Sequence, residues 1–288
     1  MEVLVSKMNA LCDGSPFQTG WFLKDLCSGA SVQRQGDVVV PSASVRKVAI
    51  LMTALKEVHA GKLSLGQRVP IEARYQKNDS GCFQHLQPGF SVSFRDALVM
   101  MIIVSDNTCT GAVADLLGLE AVNAFSREVG MVGTTHRHGV PPLPMAVDHP
   151  VDYTNTTTPN DVGLLLDLIN QGASNSAVAR SLGSSSDLCR LALEIMSWQK
   201  LRTRLPSMLP LGTKVAHKTG TGVRYYNDAG IIYQGKEPLF ILSVLTEKVP
   251  AELPDGTPGH AAASQLIGQM ARAAYDDLTN LGVGRGSH

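Results

Sequence analysis

Apolar positions recur at helical spacing from Glu2 to Leu11, and the run stops at the helix-breaking set Asp13-Gly14-Ser15-Pro16. From Phe17 to Cys27 and from Ser31 to Val39 the pattern changes to aromatic and β-branched residues on either side of Ser28-Gly29-Ala30, which predicts a hairpin. An almost unbroken apolar stretch, Val48 to Ala54, then predicts a buried helix that starts at Ser44 and runs to about Ala60, with Gly61 as its stop. Leu65 to Ala73 reads as extended and Asn78 to Gly89 as polar loop. Helical spacing returns from Phe94 to Val104, breaks at Ser105-Asp106-Asn107, and resumes over Thr108 to Leu117 and Ala121 to Val129. Gly130 to Asn155, with Pro141, Pro142, Pro144 and Pro150, is loop-like, and so long a loop in a compact domain is usually functional. Thr158-Pro159-Asn160-Asp161 supplies a helix cap, a proline at the first position and an acid at the third, opening a helix to about Asn170. After a further helix, Asp187 to Lys200, the character of the sequence changes beyond Leu209-Pro210-Leu211-Gly212 and predicts strands over Lys214 to Lys218, Asn227 to Tyr233 and Leu239 to Glu247. A closing helix follows over Ala261 to Thr279.

Strands at both ends with helices between them imply an α+β fold whose antiparallel sheet is completed by distant segments. The expected organisation is one domain over 1–280. Its sheet lobe takes about 1–45 and 211–280, and an inserted all-helical lobe takes about 46–210. The tail from Gly282 to His288 reads as linker and tag remnant. The 25 basic and 25 acidic residues give a formal net charge of +0 with no block of like charge, so neither a nucleic-acid nor an anionic-membrane role has an electrostatic footprint. The longest apolar stretches, such as Ala97 to Val104, are too short to span a bilayer. The N-terminus lacks the basic segment and long apolar core of a signal peptide. Five cysteines stand at 12, 27, 82, 109 and 189, without a CxxC or a metal-like Cys/His cluster. The expectation is scattered buried thiols in a cytoplasmic protein, with a periplasmic or secreted location as the alternative if a leader has been removed, and no metal or cofactor.

Three short motifs carry candidate chemistry. Ser44-Val45-Arg46-Lys47 places a hydroxyl and an amine one helical turn apart on one face, with Ser44 near the positive end of the helix dipole. A lysine in so apolar a setting loses proton affinity, which suits it to take the serine's proton. Ser105-Asp106-Asn107, in a turn between helices, can project a hydroxyl to relay a proton and an amide to hold the lysine or a substrate carbonyl. Lys218-Thr219-Gly220, at the end of a strand, offers a charge and a hydroxyl to a substrate carboxylate, and glycine lets a substrate backbone approach the strand edge. Each motif alone is commonplace; their order and placement on helix start, interhelical turn and strand are not.

With this trio the chain resembles the class A β-lactamase and penicillin-recognising serine hydrolase superfamily over about Val3 to Asp277. Thr156-Thr157-Thr158-Pro159, His217 and Asn227-Asp228 extend the resemblance. It implies a two-lobe fold with the cleft between the lobes, and acyl transfer by attack of Ser44 on an amide or lactam carbonyl. Lys47 is then base or proton relay, and backbone N–H groups of Ser44 and Thr221 form the oxyanion hole. Ser105 protonates the leaving nitrogen, Asn107 binds substrate, and Lys218 and Thr219 hold a carboxylate.

The match breaks in one loop. Class A enzymes carry a Glu-x-x-x-Asn sequence after the S-D-N motif, and that Glu activates the deacylating water. The stretch from His136 to His149 has no glutamate. Asp148 and His149 are candidate alternative bases, with Asp152, His136 and His138 nearby in sequence. Arg224, after the K-T-G motif, is a candidate second carboxylate anchor through a bidentate pair. Ala43 and Leu51 stand where some family members have disulfide-forming cysteines. The leading expectation is a serine amidohydrolase acting through an acyl-Ser44 intermediate. The alternatives are a penicillin-binding D-alanyl-D-alanine peptidase and a non-hydrolytic acyl-enzyme-forming sensor of β-lactams.

Overall fold

A computed structural model describes residues 1–283. The first half of the chain runs α1 (Glu2–Asp13), β1 (Gln18–Asp25), β2 (Ser31–Arg34), β3 (Val40–Pro41), α2 (Lys47–His59), β4 (Arg68–Pro70), β5 (Ser91–Ser93), α3 (Phe94–Ile103), α4 (Asn107–Leu117) and α5 (Leu119–Glu128). The second half runs β6 (Thr156–Thr157), α6 (Pro159–Gly172), α7 (Ser176–Ser181), α8 (Ser186–Ser197), β7 (Val215–Gly222), β8 (Tyr225–Gln234), β9 (Glu237–Glu247) and α9 (Gly259–Val283). Of the tail set aside in the sequence, Gly282 and Val283 continue α9, and 284–288 lie outside the described residues.

Five strands form one antiparallel sheet in the order β2-β1-β9-β8-β7. The N-terminal hairpin joins the C-terminal strands through β1 and β9, which pair from Gln18 opposite Glu247 to Asp25 opposite Phe240. Alternation along the strands sends side chains to two cores. Ile231 and Ile241 face the helical lobe with α2, α3, α6 and α8, whereas Ile232, Phe240 and Leu242 pack beneath α1 and α9. The fold is the β-lactamase arrangement expected from the sequence, a sheet with terminal helices on one face and a helical lobe on the other.

Three local features position the site. α2 is buried from Lys47 to Leu55, as a helix apolar on all sides must be. The Thr158 side chain caps α6 by accepting from the Asp161 N–H. The Asp161 carboxylate in turn accepts from the Gly133 N–H at 2.9 Å and the Thr134 hydroxyl at 2.7 Å, fixing the start of the long loop. The two-residue β6, not foreseen from the sequence, pairs with β3 and ties the end of that loop to the strand before Ser44.

Gly163 lets α6 seat on the sheet: a Cβ there would lie 2.1 Å from Phe22 Cδ1 of β1. Gly163→Ala is expected to cost about 1–3 kcal/mol through overpacking. Chemical denaturation measures it, and an unchanged midpoint would mean that the helix and strand separate without penalty.

Candidate active site

Ser44 lies in a 3-10 turn, Ala43–Arg46, that leads directly into α2. The turn begins with Ala43 at φ 44° and the S-D-N turn begins with Ser105 at φ 58°, left-handed conformations that non-glycine residues seldom adopt. Such strain collects at functional sites, where the surroundings over-determine the backbone. Here they do. The Ser42 N–H and hydroxyl donate to the Asn155 carbonyl at 2.9 and 3.0 Å, and the Asn227 side-chain amide donates to the Pro41 carbonyl at 3.0 Å. The Ser44 turn is thus held by the long loop on one side and by β8 on the other.

Lys47 is buried and its ammonium nitrogen lies 2.8 Å from the Ser105 carbonyl, 3.1 Å from Ser105 Oγ and 2.8 Å from Asn107 Oδ1. Burial, then the charges of Lys218 and Arg46, hold its pKa well below that of an ordinary lysine. An ammonium has three N–H donors, one for each of these oxygens, and loss of one proton frees a lone pair that can accept from a hydroxyl. The Ser44 hydroxyl makes no side-chain hydrogen bond among the described residues.

On the opposite wall, edge strand β7 brings Lys218, Thr219, Gly220 and Thr221 past Ser44. A Cβ on Gly220 would lie 3.0 Å from the Ser44 backbone nitrogen, so only glycine allows this approach. Lys218 is fully buried, donates to the Thr219 carbonyl at 2.7 Å, and has its pKa pushed down to about 7 by burial. Behind the strand, buried His217 pairs with Asp228 (Nδ1 to Oδ1, 2.9 Å), which also accepts from the Leu205 N–H at 3.1 Å. Arg204, buried as well, donates to the carbonyls of Gly220 and Asn227, each at 2.7 Å, and to the Thr221 hydroxyl.

These elements enclose a cleft of ≈ 240 Å³ lined by Ser44, Lys47 and Asn107, with Thr221 and Tyr225 on the sheet side and Leu143 on the loop side. The sequence did not point to Arg204, Arg46, Asp79 or Leu143. Arg46 sits inside the S-x-x-K motif, yet nothing in the sequence marked it as buried. Its guanidinium donates to the Gly139 carbonyl and approaches Nδ1 of buried His136 at 3.4 Å. Burial and that cation push the His136 pKa well down, so the ring is neutral.

Three sequence expectations are corrected. Arg224 is not in the Ser44 cleft: it occupies the two-residue β7–β8 connection at φ 62°, and its guanidinium reaches the Val249 carbonyl at 3.5 Å. The tight turn sends it into a second cavity of ≈ 700 Å³, while its neighbours Val223 and Tyr225 line both cavities. Asp148 and His149 line that second cavity too, with His149 stacked edge-on to Tyr225 at 6.0 Å, so neither faces Ser44. Asp152 is exposed, and His138 Nε2 lies 3.0 Å from the Tyr153 carbonyl. The thiols are only partly buried as a set: Cys12, Cys109 and Cys189 are buried, Cys27 and Cys82 exposed, and all are free. No group of three or more His, Cys, Asp or Glu among the described residues is placed to hold a metal.

Comparison with known proteins agrees with this geometry. The model of the Beta-lactamase enzyme family matches residues 3–278. A β-lactamase of Streptomyces fradiae is 26% identical over 268 residues, covering 91% of this chain and 81% of the relative. The β-lactamase regulatory protein BlaB of Streptomyces cacaoi is 24% identical, covering 90% and 93%. The solved structure of PBP-A superposes with a TM-score of 0.82 at 27% identity, covering 97% of each chain, and a leucine-to-glutamate variant of PBP-A has been captured as an acyl-enzyme with penicillin G. With the family model matched from residue 3 to residue 278 and the fold shared with its solved relatives, the chain belongs to the β-lactamase enzyme family.

Proposed function

We propose that the chain is a serine amidohydrolase that opens an amide or lactam bond through an acyl-Ser44 intermediate and releases the acyl group slowly. The observation that carries this reading is the buried Lys47 amine, held by Ser105 and Asn107 in the same cleft as Ser44. Ser44 Oγ attacks the substrate carbonyl and its proton passes to Lys47 Nζ. We assign the developing oxyanion to the backbone N–H groups of Ser44 and Thr221, a reading supported by the close approach of β7 to Ser44 at Gly220. Lys47 passes a proton to Ser105 Oγ, 3.1 Å away, as Ser105 gives its own to the leaving nitrogen. The C–N bond breaks, leaving an ester on Ser44. A substrate carboxylate finds Lys218, Thr219 and the Thr221 hydroxyl along β7, with Arg204 supporting that edge from behind.

Slow release follows from what lines the cleft. Its single carboxylate is Asp79, in the loop anchored to Asn107, while Leu143 and Met145 occupy the loop side. No glutamate is placed there to activate water. The same feature favours a second reading, a penicillin-binding or sensing protein whose function is the stable acyl-enzyme, in line with the regulatory relative. Incubation with penicillin G followed by intact-mass measurement tests the proposal: wild type gains one penicilloyl group, and Ser44→Ala gains none. An adduct of equal yield on Ser44→Ala would sink it.

A further inference from the structure

Asp79 is not used by the acylation chemistry, yet the fold takes care to present it. The loop around it is fixed to the S-D-N turn on both sides. The Asn78 side chain donates to Thr108 Oγ1 at 3.0 Å, the Ser80 hydroxyl donates to the Ser105 carbonyl at 3.0 Å, and the Asn107 N–H donates to the Ser80 carbonyl at 2.9 Å. Two residues on, the Cys82 and Phe83 N–H groups donate to the Asp106 carboxylate at 2.7 and 2.8 Å. Between these anchors the Asp79 side chain is exposed, makes no hydrogen bond or ion pair among the described residues, and lines the cleft that holds Ser44.

The charges around that cleft are strongly ordered. Lys47 and Arg46 are buried residues of its lining, Lys218 and Arg204 are buried in and behind β7 without lining it, and Asp79 is the one carboxylate in the lining. A substrate whose leaving-group carboxylate lies along Lys218 and Thr219 runs its acyl part past Ser44 and Asn107, and out to Asp79. We propose that Asp79 selects substrates with a cationic group on the acyl side, so that the preferred ligand is a zwitterion: a carboxylate on the leaving-group side and an ammonium on the acyl side of the bond cleaved. The inference rests on the acylation chemistry proposed above and adds the substrate class.

Penicillins that differ at one atom of the acyl side chain test it. Ampicillin carries an α-amino group and carbenicillin an α-carboxylate where penicillin G has hydrogen. At about pH 6.5 the amine is protonated, since α-amino groups titrate near 7.7–8.0. Second-order acylation rate constants of the full chain, followed by intact mass, give the ampicillin-to-carbenicillin ratio. An exposed ion pair and its like-charge counterpart together change that ratio on the order of tenfold. The ratio is expected to fall by about that factor in Asp79→Asn, to fall further in Asp79→Lys, and to shrink toward the Asp79→Asn value as salt is raised and the charges are screened. Equal ratios in wild type, Asp79→Asn and Asp79→Lys overturn the selectivity inference while leaving acylation standing. Failure of all three penicillins to label Ser44 overturns the acylation chemistry itself, and the inference with it.

Discussion

Lys47→Met is expected to slow acylation of Ser44 by penicillin G about 10²–10⁴-fold, the usual contribution of a positioned proton acceptor. Methionine keeps the length and fills the buried space, so the change is chemical before it is steric. Its cost to the fold is the loss of a donor to the Ser105 carbonyl and Asn107 Oδ1, about 1–3 kcal/mol for each group left without one. A thermal melt separates this from the effect on rate. The pH profile gives a sharper readout. Burial and the neighbouring cations lower the Lys47 pKa, so acylation in wild type rises with pH as the amine loses its proton. Lys218, pushed down to about 7, loses its charge above that pH and with it the hold on a substrate carboxylate. The second-order rate constant is therefore expected to be bell-shaped, with its alkaline limb near pH 7. Lys47→Met removes the acid limb and keeps the alkaline one. An acid limb that survives the substitution would assign the base to another group.

Leu143→Glu is expected to shorten the lifetime of the acyl-enzyme by about 10²–10⁴-fold, the same class of effect applied to the other half-reaction. Leu143 is half exposed and lines the cleft together with Ser44, Arg46 and Lys47. A carboxylate there shares the cleft with the Arg46 guanidinium, which favours its ionised form, able to take a proton from water. Adduct loss after removal of excess penicillin, followed by intact mass, measures the lifetime. The exchange has a second consequence of predictable sign. A carboxylate near Lys47 favours its charged form, so the acid limb of acylation moves to higher pH. A leucine-to-glutamate variant of PBP-A still forms the penicillin G acyl-enzyme, so this kind of exchange is compatible with acylation in a relative. An unchanged lifetime in Leu143→Glu would mean that release is not limited by the lack of a carboxylate on the loop side of the cleft.

Much of the fold was legible because its signals are local. The apolar run after Lys47, the Thr158-Pro159 cap and the apolar C-terminal strands each announce their element through short-range chemistry. That distant segments complete one sheet followed from strands lying at both ends of the chain. Less legible were elements held by tertiary contact alone. β6 exists because two threonines pair with Val40 and Pro41 more than a hundred residues away, and α7 is a short helix of 6 residues. In the site, Ser44, Lys47, Ser105, Asn107 and the K-T-G strand come together because motif order fixed their elements. The carboxylate anchors were misread for a physical reason. Arg224 is next to the K-T-G strand in sequence, but a two-residue turn at positive φ sends it to the far cavity. Arg204, fourteen residues upstream, is brought against Gly220 and Thr221 by the chain that enters the sheet. Asp148 and His149 were chosen by their place in the loop, and the loop turns them away from Ser44. Burial of Arg46 beside Lys47, which shapes the base electrostatically, has no counterpart in a linear motif.

The central claim, that Ser44 is acylated and then freed slowly, is tested most directly by time-resolved intact-mass spectrometry of the full chain with a stoichiometric amount of penicillin G, followed by peptide mapping. The account predicts an added mass of one intact penicillin, located on the peptide that contains Ser44 and persisting after the free drug is gone. Rapid hydrolysis of the penicillin with no adduct at any time, or an adduct on any other residue, would contradict it.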